Sequence, residues 1–250
     1  YTATWISPDT SALQLGGLTA GVYTVEITDS SEPLTIRVTE TVEILEPEFV
    51  CESDSIADVD GNIYPTVLIA NQCWISGNLR TEHLDEEGMM PIDDRFCAGT
   101  NCINKKGPHY TWEAMMNGDS YDPEDPNNLP QGICPEGFGI PSRKVFQDLD
   151  SILSIPGNYG DGFFSGTKMK GKDSSTGFDA LFAGNWGYGV YTNDSIAAYW
   201  SSTKYVREDE PDVDTREGYY FLLTREVPFL NSGHQPYNFG MSVRCVRIIE

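Results

Sequence analysis

The chain has 250 residues, 39% of them apolar and 12% aromatic, enough to bury sizeable cores in one large domain or two modest ones. Its 16 Lys and Arg against 38 Asp and Glu leave a formal charge of -22, which repels nucleic-acid phosphates and anionic lipid and so disfavours both as partners. No apolar run approaches the roughly 18 residues that a membrane-crossing helix needs, and no charged, apolar, small-residue signal pattern opens the chain.

The acidity reads first as a solvated surface, with divalent-cation binding as the sharper alternative. Six cysteines lie outside any C-x-x-C pattern and only three histidines could supply imidazole, so disulfides in an oxidising compartment are expected rather than a zinc site. The opening at Tyr1, inside a β-patterned stretch, is what a processed or partial product would show.

From Val22 to Thr28 the residues alternate, with Val22, Thr24, Glu26 and Thr28 on one face and Tyr23, Val25 and Ile27 on the other, the pattern of a half-buried strand. Leu34 to Val38 leads through Thr39 and Glu40 into a second run ending at Leu45, while Trp5, Leu13 and Leu15 supply earlier apolar contacts. The expectation for residues 1–48 is a small antiparallel sandwich, short of the roughly 100 residues such a fold usually has. Glu46-Pro47-Glu48 breaks the pattern and sets the boundary with a second domain over 49–250.

Asp58-Val59-Asp60-Gly61-Asn62 is a turn signal before a strand from Tyr64 to Ala70, which a second turn joins to Cys73-Trp74-Ile75 as a hairpin. The same run opens like a calcium loop, yet the later Glu of such a loop is missing and a strand follows where a helix should. Cys97 and Cys102 are close enough to close a small ring, and Cys51 precedes the hairpin that ends at Cys73. Local pairing of both leaves Cys134 with Cys245, one connectivity among those that six cysteines permit.

Tyr110 to Asn117 reads as a short helix stopped at Asn117-Gly118. Asp119, Asp122, Glu124 and Asp125, interleaved with prolines, make an acidic loop that is either solvated or a calcium site. Ser142 caps the clearest helix, whose Val145, Phe146, Leu149, Ile152 and Leu153 form one apolar stripe. Beyond it come short aromatic segments, several alternating with Gly, around Trp186-Gly187-Tyr188, Tyr199-Trp200 and Tyr219-Tyr220, suited to tight β packing. Val206 to Gly218 is strongly acidic and expected to be a solvated loop. Gly240 to Arg247 is expected to form the closing strand, with Arg244 and Arg247 at its polar positions.

The second domain resembles the Fibrobacter succinogenes major paralogous domain, a family of secreted or surface modules related to the C-type-lectin-like fold and more distantly to formylglycine-generating enzymes. The matching residues are Asp58 to Tyr64, Thr66-Val67, Gln72-Cys73-Trp74 with Asn78-Leu79, Tyr110-Thr111-Trp112 with Ala114-Met115, and Cys134-Pro135 and Gly137 with Pro141-Ser142 and Leu149. Further along they are Gly177-Phe178 with Ala180-Leu181, Tyr199 to Thr203, and Ser242 to Val246. Phe138 and Phe146 stand where the family usually has Trp, and Gly139 where it usually has His. The first segment, in Trp5, Gly17 to Val25 and Thr28-Asp29, resembles the immunoglobulin-like and SprB-type repeats of Bacteroidota surface adhesins, which implies a spacer on a protein exported by type IX secretion.

Together these readings imply an α+β fold, a C-type-lectin-like domain with disulfides preceded by a small all-β, Ig-like unit. The function they imply is a non-enzymatic extracellular or cell-surface adhesion and recognition module, a lectin-like head on a β-sandwich stalk. Its partner would be a protein or glycan at a surface, or copies of itself or neighbouring repeats. One alternative is a structural subunit of an extracellular filament or secretion-linked assembly. A formylglycine-generating catalyst is disfavoured, since those enzymes rely on reactive cysteines and all six here can be paired. The sugar-binding calcium signatures of true C-type lectins are missing, so calcium stays a candidate cofactor only in the acidic loops. Flat rings mixed with amides select Tyr205, His234, Tyr237 and Asn238 as contact residues, with Trp186 and Tyr188 at the edge of the same face; an ordinary polar loop is the plainer alternative.

Overall fold

The computed structural model describes residues 2–7, 9–10, 16–29, 35–45, 48–85, 88, 90–97, 106–120, 128–155, 164–170, 175–188, 190–192 and 195–249. The chain divides into two compact units, Tyr1–Phe49 and Val50–Glu250. Among the described residues strands prevail, with three helices, all in the second unit.

The first unit is one antiparallel sheet of β1 (Thr2–Ser7), β2 (Asp9–Thr10), β3 (Gly21–Asp29) and β4 (Ile36–Ile44), in the order β2-β1-β3-β4. Residues paired across neighbouring strands share a face. Ala3, Trp5, Tyr23, Val25, Ile27, Val38 and Val42 therefore lie on one side, and Thr2, Thr4, Thr24, Glu26, Thr28, Arg37, Thr39 and Thr41 on the other. The polar side carries a Thr24–Thr41 hydroxyl contact at 3.2 Å and an Arg37–Glu26 ion pair at 3.3 Å. The described residues supply one layer of the expected sandwich, and its second layer is not among them; Val42 is 56% exposed. A sandwich core needs two inner faces in contact, and one sheet supplies one. Leu13 and Leu15 lie outside the described residues.

In the second unit β5 (Ser55–Ala57), β6 (Ile63–Ile69), β7 (Gln72–Ile75) and, from the far end of the chain, Val246–Ile248 form a sheet in which Val246–Ile248 pairs with β7. Arg95–Phe96 (β8) pairs with His109–Tyr110 (β9), and Trp186–Gly187 (β10) with Val190–Tyr191 (β11). A second sheet has β12 (Ile196–Lys204), β13 (Glu217–Thr224) and β14 (Asn231–Pro236) side by side; Val246–Ile248 is β15. The helices are α1 (Trp112–Met116), α2 (Arg143–Ser154) and α3 (Ser165–Met169).

Helix α2 begins where the sequence places it, because the Ser142 hydroxyl accepts the Val145 N–H at 3.2 Å and satisfies a donor that the first turn leaves unpaired. Its stripe of Val145, Phe146, Leu149 and Leu153 enters a core shared with Trp74, Phe178, Tyr199, Phe221 and Val246. There Phe146 stacks on Phe221 at 4.5 Å, and Trp74 meets Phe146 at 5.3 Å and Phe178 at 5.4 Å. Cys51 is bonded to Cys73 and Cys134 to Cys245. Cys97 is also disulfide-bonded; its expected partner, Cys102, lies outside the described residues.

The closing segment differs from the single strand expected over Gly240–Arg247. Only Val246 to Ile248 is a strand; the residues before it thread between elements, exchanging backbone hydrogen bonds in turn with Trp186, Tyr110, Ala198 and Trp200, Leu79, Ile75 and Gly139. Arg244, expected at a polar position, is completely buried. Its guanidinium donates to Asn78 Oδ1 and the Ile75 carbonyl, each at 3.1 Å, and to the carbonyls of Phe178 at 2.6 Å and Asp179 at 2.7 Å. Each turn of the segment meets a different partner, so no alternating ladder can persist.

The calcium reading of the Asp58 turn meets a chemical obstacle. Asp58 Oδ1 accepts from the backbone N–H of Asp60 and of Asn62, and Oδ2 from the hydroxyls of Tyr64 at 2.7 Å and Thr81 at 2.9 Å, while the Asn62 amide reaches both oxygens. A cation would need lone pairs that protein donors already hold. Asp119 accepts the Gly132 N–H; Asp122, Glu124 and Asp125 lie outside the described residues. Among the described residues no group of three or more His, Cys, Asp or Glu is placed to hold a metal.

Two outcomes follow for stability. The Cys134–Cys245 bridge closes 111 residues and the Cys51–Cys73 bridge 22; if bridges act by loop entropy, replacing the first pair with Ala costs about 5 kcal/mol and the second about 3 kcal/mol, an order that urea unfolding of the two variants checks. His109 is fully buried with neither ring nitrogen in a well-formed hydrogen bond, although the Gly184 and Ala183 backbone lies near. Burial pushes its pKa from 6.5 down to about 4, so below pH 6.5 the unfolded chain takes up a proton that the folded one refuses. Stability therefore falls as the pH drops from 6.5 to 4, by about 3 kcal/mol from this residue. Unfolding of the wild type and His109→Phe at pH 7.5 and pH 4.5 should show the wild type losing more.

Candidate functional site

The three-stranded sheet brings together two of the expected contact residues, Tyr205 and His234. Tyr205 follows directly on β12 and is tied to β13 by its N–H on the Glu217 carbonyl at 2.8 Å. His234 lies on β14 opposite Tyr219 of β13. The two rings meet over the strand between them, stacked at 3.7 Å and within 4° of parallel, with the Tyr219 ring edge-on to both. His234 Nδ1 pairs with the Glu217 carboxylate, and the Arg143 guanidinium lies 4.0 Å from the centre of the Tyr219 ring. These contacts run between neighbouring strands of the sheet, with Arg143 alone coming from a remote element, so the patch is a product of sheet register.

The acidic loop after Tyr205 folds back on the patch. Thr215 donates its hydroxyl to the Tyr205 carbonyl at 2.7 Å, Asp214 accepts the Arg216 N–H at 2.9 Å, and Arg207 pairs with Glu210 at 3.0 Å. Between loop and rings lies an open cavity of about 390 Å³ whose walls include Tyr205, Val213, Asp214, Glu217 and His234. One flat ring pair, one apolar side chain and two carboxylates offer a ligand stacking, apolar and hydrogen-bonding contact within a small area.

The other candidates go elsewhere. Tyr237 is a correction: it is 5% exposed, stacked on Trp112 at 4.3 Å and 11°, its N–H on the Arg216 carbonyl and its carbonyl accepting from the Trp112 N–H. Burial pushes its phenol pKa up to about 12. The pattern of rings and amides could not reveal this, because Trp112 is 125 residues away in sequence and its indole is wedged against Gly218, where a Cβ would lie 2.4 Å from it. Asn238 is exposed in the turn after β14. Trp186 is half-buried, stacked on Phe96 at 5.3 Å and paired through its backbone with Gly240. Tyr188 is 89% exposed in the left-handed region at φ 51°, its ring edge-on to Phe239 at 5.0 Å. Among the described residues no ring contact joins Trp186 or Tyr188 to the Tyr205–His234 pair. Thr215, Tyr219 and Arg143 belong to the patch without having been selected; Glu217 was visible only as one more acid in the loop.

A Cβ at Gly139 would meet Leu129 Cβ at 2.7 Å and the Pro130 carbonyl at 2.9 Å. A larger residue there would force this backbone apart, so the position is set by packing.

Tyr205→Ala should cost about 1 kcal/mol of stability, since the ring is only half-buried, whereas Tyr237→Ala should cost about 3–5 kcal/mol as a buried aromatic truncation. Chemical denaturation of the two variants decides between surface and core roles.

The comparisons with known proteins bear on this second unit. The model of one family, described as the Fibrobacter succinogenes major domain, matches residues 67–247. No curated protein matches the chain, and no solved structure does.

Proposed function

Because this chain belongs to the Fibrobacter succinogenes major domain family, we propose that it is a non-enzymatic recognition module working at a cell surface or outside the cell. Its second unit would be a C-type-lectin-like head, and its first an Ig-like spacer of the kind found in surface adhesins. The observation that carries the reading is the Tyr205–His234 stack beside Glu217, a pair of flat rings open to a cavity on a rigid sheet. Aromatic rings held by a sheet lose little conformational freedom on binding, which is what an adhesive contact needs.

Three further features support it. The disulfides suit an oxidising compartment, and no helix among the described residues is long and apolar enough to cross a membrane. The charge of -22 keeps such a module from sticking to polyanions. No cysteine among the described residues is free to act as a nucleophile. The partner on this reading is a protein or glycan at a surface.

A second reading, a subunit of an extracellular assembly, is favoured by one observation: the first unit leaves its apolar face uncovered among the described residues. A neighbouring chain could supply the missing layer.

A partner isolated by affinity capture from the cell surface, then titrated against Tyr205→Ala/His234→Ala, should bind the variant at least tenfold more weakly. Unchanged affinity in a folded double variant would overturn the site. A solution mass showing stable multimers at micromolar concentration would favour the assembly reading.

A further inference from the structure

A second cavity, of about 480 Å³, lies against the Asp58 turn and the Cys134 turn, within the roughly 300–1,000 Å³ typical of small-ligand pockets. The aspartate motif finds its use here. Asp58, saturated by donors, fixes the turn, and the turn presents Asp60 to the next segment. Asp60 accepts the backbone N–H of Glu82 and of His83, and its other oxygen pairs with His83 Nδ1. Burial works to raise the Asp60 pKa, but the Glu82 N–H, the His83 ring and the His83 N–H outweigh it and hold the carboxyl below its ordinary value. An ionised carboxylate can only accept, so Nδ1 carries the proton and, in the neutral ring, Nε2 is left as an acceptor. His83 is part of the cavity wall.

Acceptors outnumber the donors still unused among the other polar groups of the wall. Four backbone donors of the wall are already used: Gly132 N–H goes to Asp119, Ile133 N–H to the Met115 carbonyl, Cys134 N–H to the Gln131 carbonyl and Leu84 N–H to the Met90 carbonyl. Thr81 donates to Asp58, and one N–H of the Gln131 amide goes to the Cys134 carbonyl, which leaves the Gln131 oxygen and its second N–H; Asn117 adds an amide with both a donor and an acceptor. Glu136 adds a carboxylate, and no Lys or Arg is among the described residues of the wall. Beside these acceptors lie Val59, Leu84, Ile133 and Pro135. An acceptor-rich, anionic wall next to an apolar one matches a donor-only cation on an aliphatic stem.

We propose that this cavity binds a primary alkylammonium group, either a free amine or the lysine side chain of a protein partner, with His83 Nε2, Gln131 Oε1 and the Glu136 carboxylate as acceptors and Asp60 as the positioning residue that sets the histidine tautomer. Asp60→Asn keeps one oxygen for the backbone N–H groups but offers its amide N–H to Nδ1, which moves the ring proton to Nε2 and turns an acceptor into a donor. Protein labelled with ¹⁵N at histidine is titrated at pH 8 with n-butylammonium and with Nα-acetyl-lysine methylamide, against n-butanol and Nα-acetyl-norleucine methylamide as uncharged controls. The expected result is a His83 ring protonated at Nδ1, saturable shifts with the ammonium probes and none with the controls. Affinity should fall at least fivefold in both Asp60→Asn and Glu136→Gln, and stay unchanged in Glu208→Gln, which makes the same charge change in the acidic loop. Binding of both ammonium probes assigns a lysine side chain, and binding of butylammonium alone a free amine. A proton on Nε2 in the wild type, equal binding of the alcohol, or equal losses in Glu136→Gln and Glu208→Gln would overturn the proposal; should Asp60→Asn fail to fold, the Glu136→Gln and Glu208→Gln comparison decides alone.

Discussion

The second unit is organised around a positive charge with no access to water. A buried guanidinium costs several kcal/mol of lost hydration unless the protein replaces every bond that water made. Around Arg244 the replacement is built from the carbonyls of Ile75, Phe178 and Asp179 and the amide oxygen of Asn78, with the rings of Phe178 and Tyr199 over the cation at 4.5 and 5.6 Å. Asn78 is held in turn, its amide donating to the Lys106 carbonyl and the Ser242 hydroxyl. Displacing any of these groups leaves a charge unsolvated, so the end of β7, the segment around Phe178 and the closing segment are set together. Charge-assisted hydrogen bonds are the stronger kind, and here they converge on one residue.

Asp58 repeats the arrangement with the sign reversed. Its carboxylate is solvated by backbone N–H groups, an amide and two hydroxyls, one of them Tyr64, whose own oxygen accepts the Arg80 N–H at 2.8 Å. Burial, and then the Asp58 charge, raises the Tyr64 pKa far above its ordinary value, so the phenol remains a donor. The two buried charges do not pair with each other; each is neutralised locally by dipoles. Such networks give a frame that tolerates little displacement, since a half-satisfied network is worse than an apolar core.

That frame explains how surface chemistry can vary above it. The Tyr205–His234 patch lies at the end of β12 and on β14 beneath the acidic loop, and the His83 cavity lies against the Asp58 turn. The aromatic rings divide by the same logic: Trp74, Phe146 and Phe178 fill the core, Trp112 and Tyr237 close its rim, and Tyr205 is half-buried against His234.

Local chemistry was legible in the chain. The alternation from Val22 to Thr28, the Ser142 cap with its apolar stripe, the short helix stopped at Asn117 and the turn at Asp58 each depend on neighbours a few residues away, and the sequence alone determined them. The pairings of Cys51 with Cys73 and Cys134 with Cys245 could be reached by considering which cysteines are close along the chain and which remain. What only the tertiary structure decided is the fate of side chains whose partners are remote. Arg244 reads as a polar strand position until Asn78, 166 residues earlier, comes within 3.1 Å, and Tyr237 reads as a surface ring until Trp112 covers it. The single layer that the described residues of the first unit form is of the same kind, because alternation shows that one face is apolar and cannot show what packs on it. Periodicity records the environment of a strand's two faces, while burial of a particular group is settled by register and contact across the whole fold.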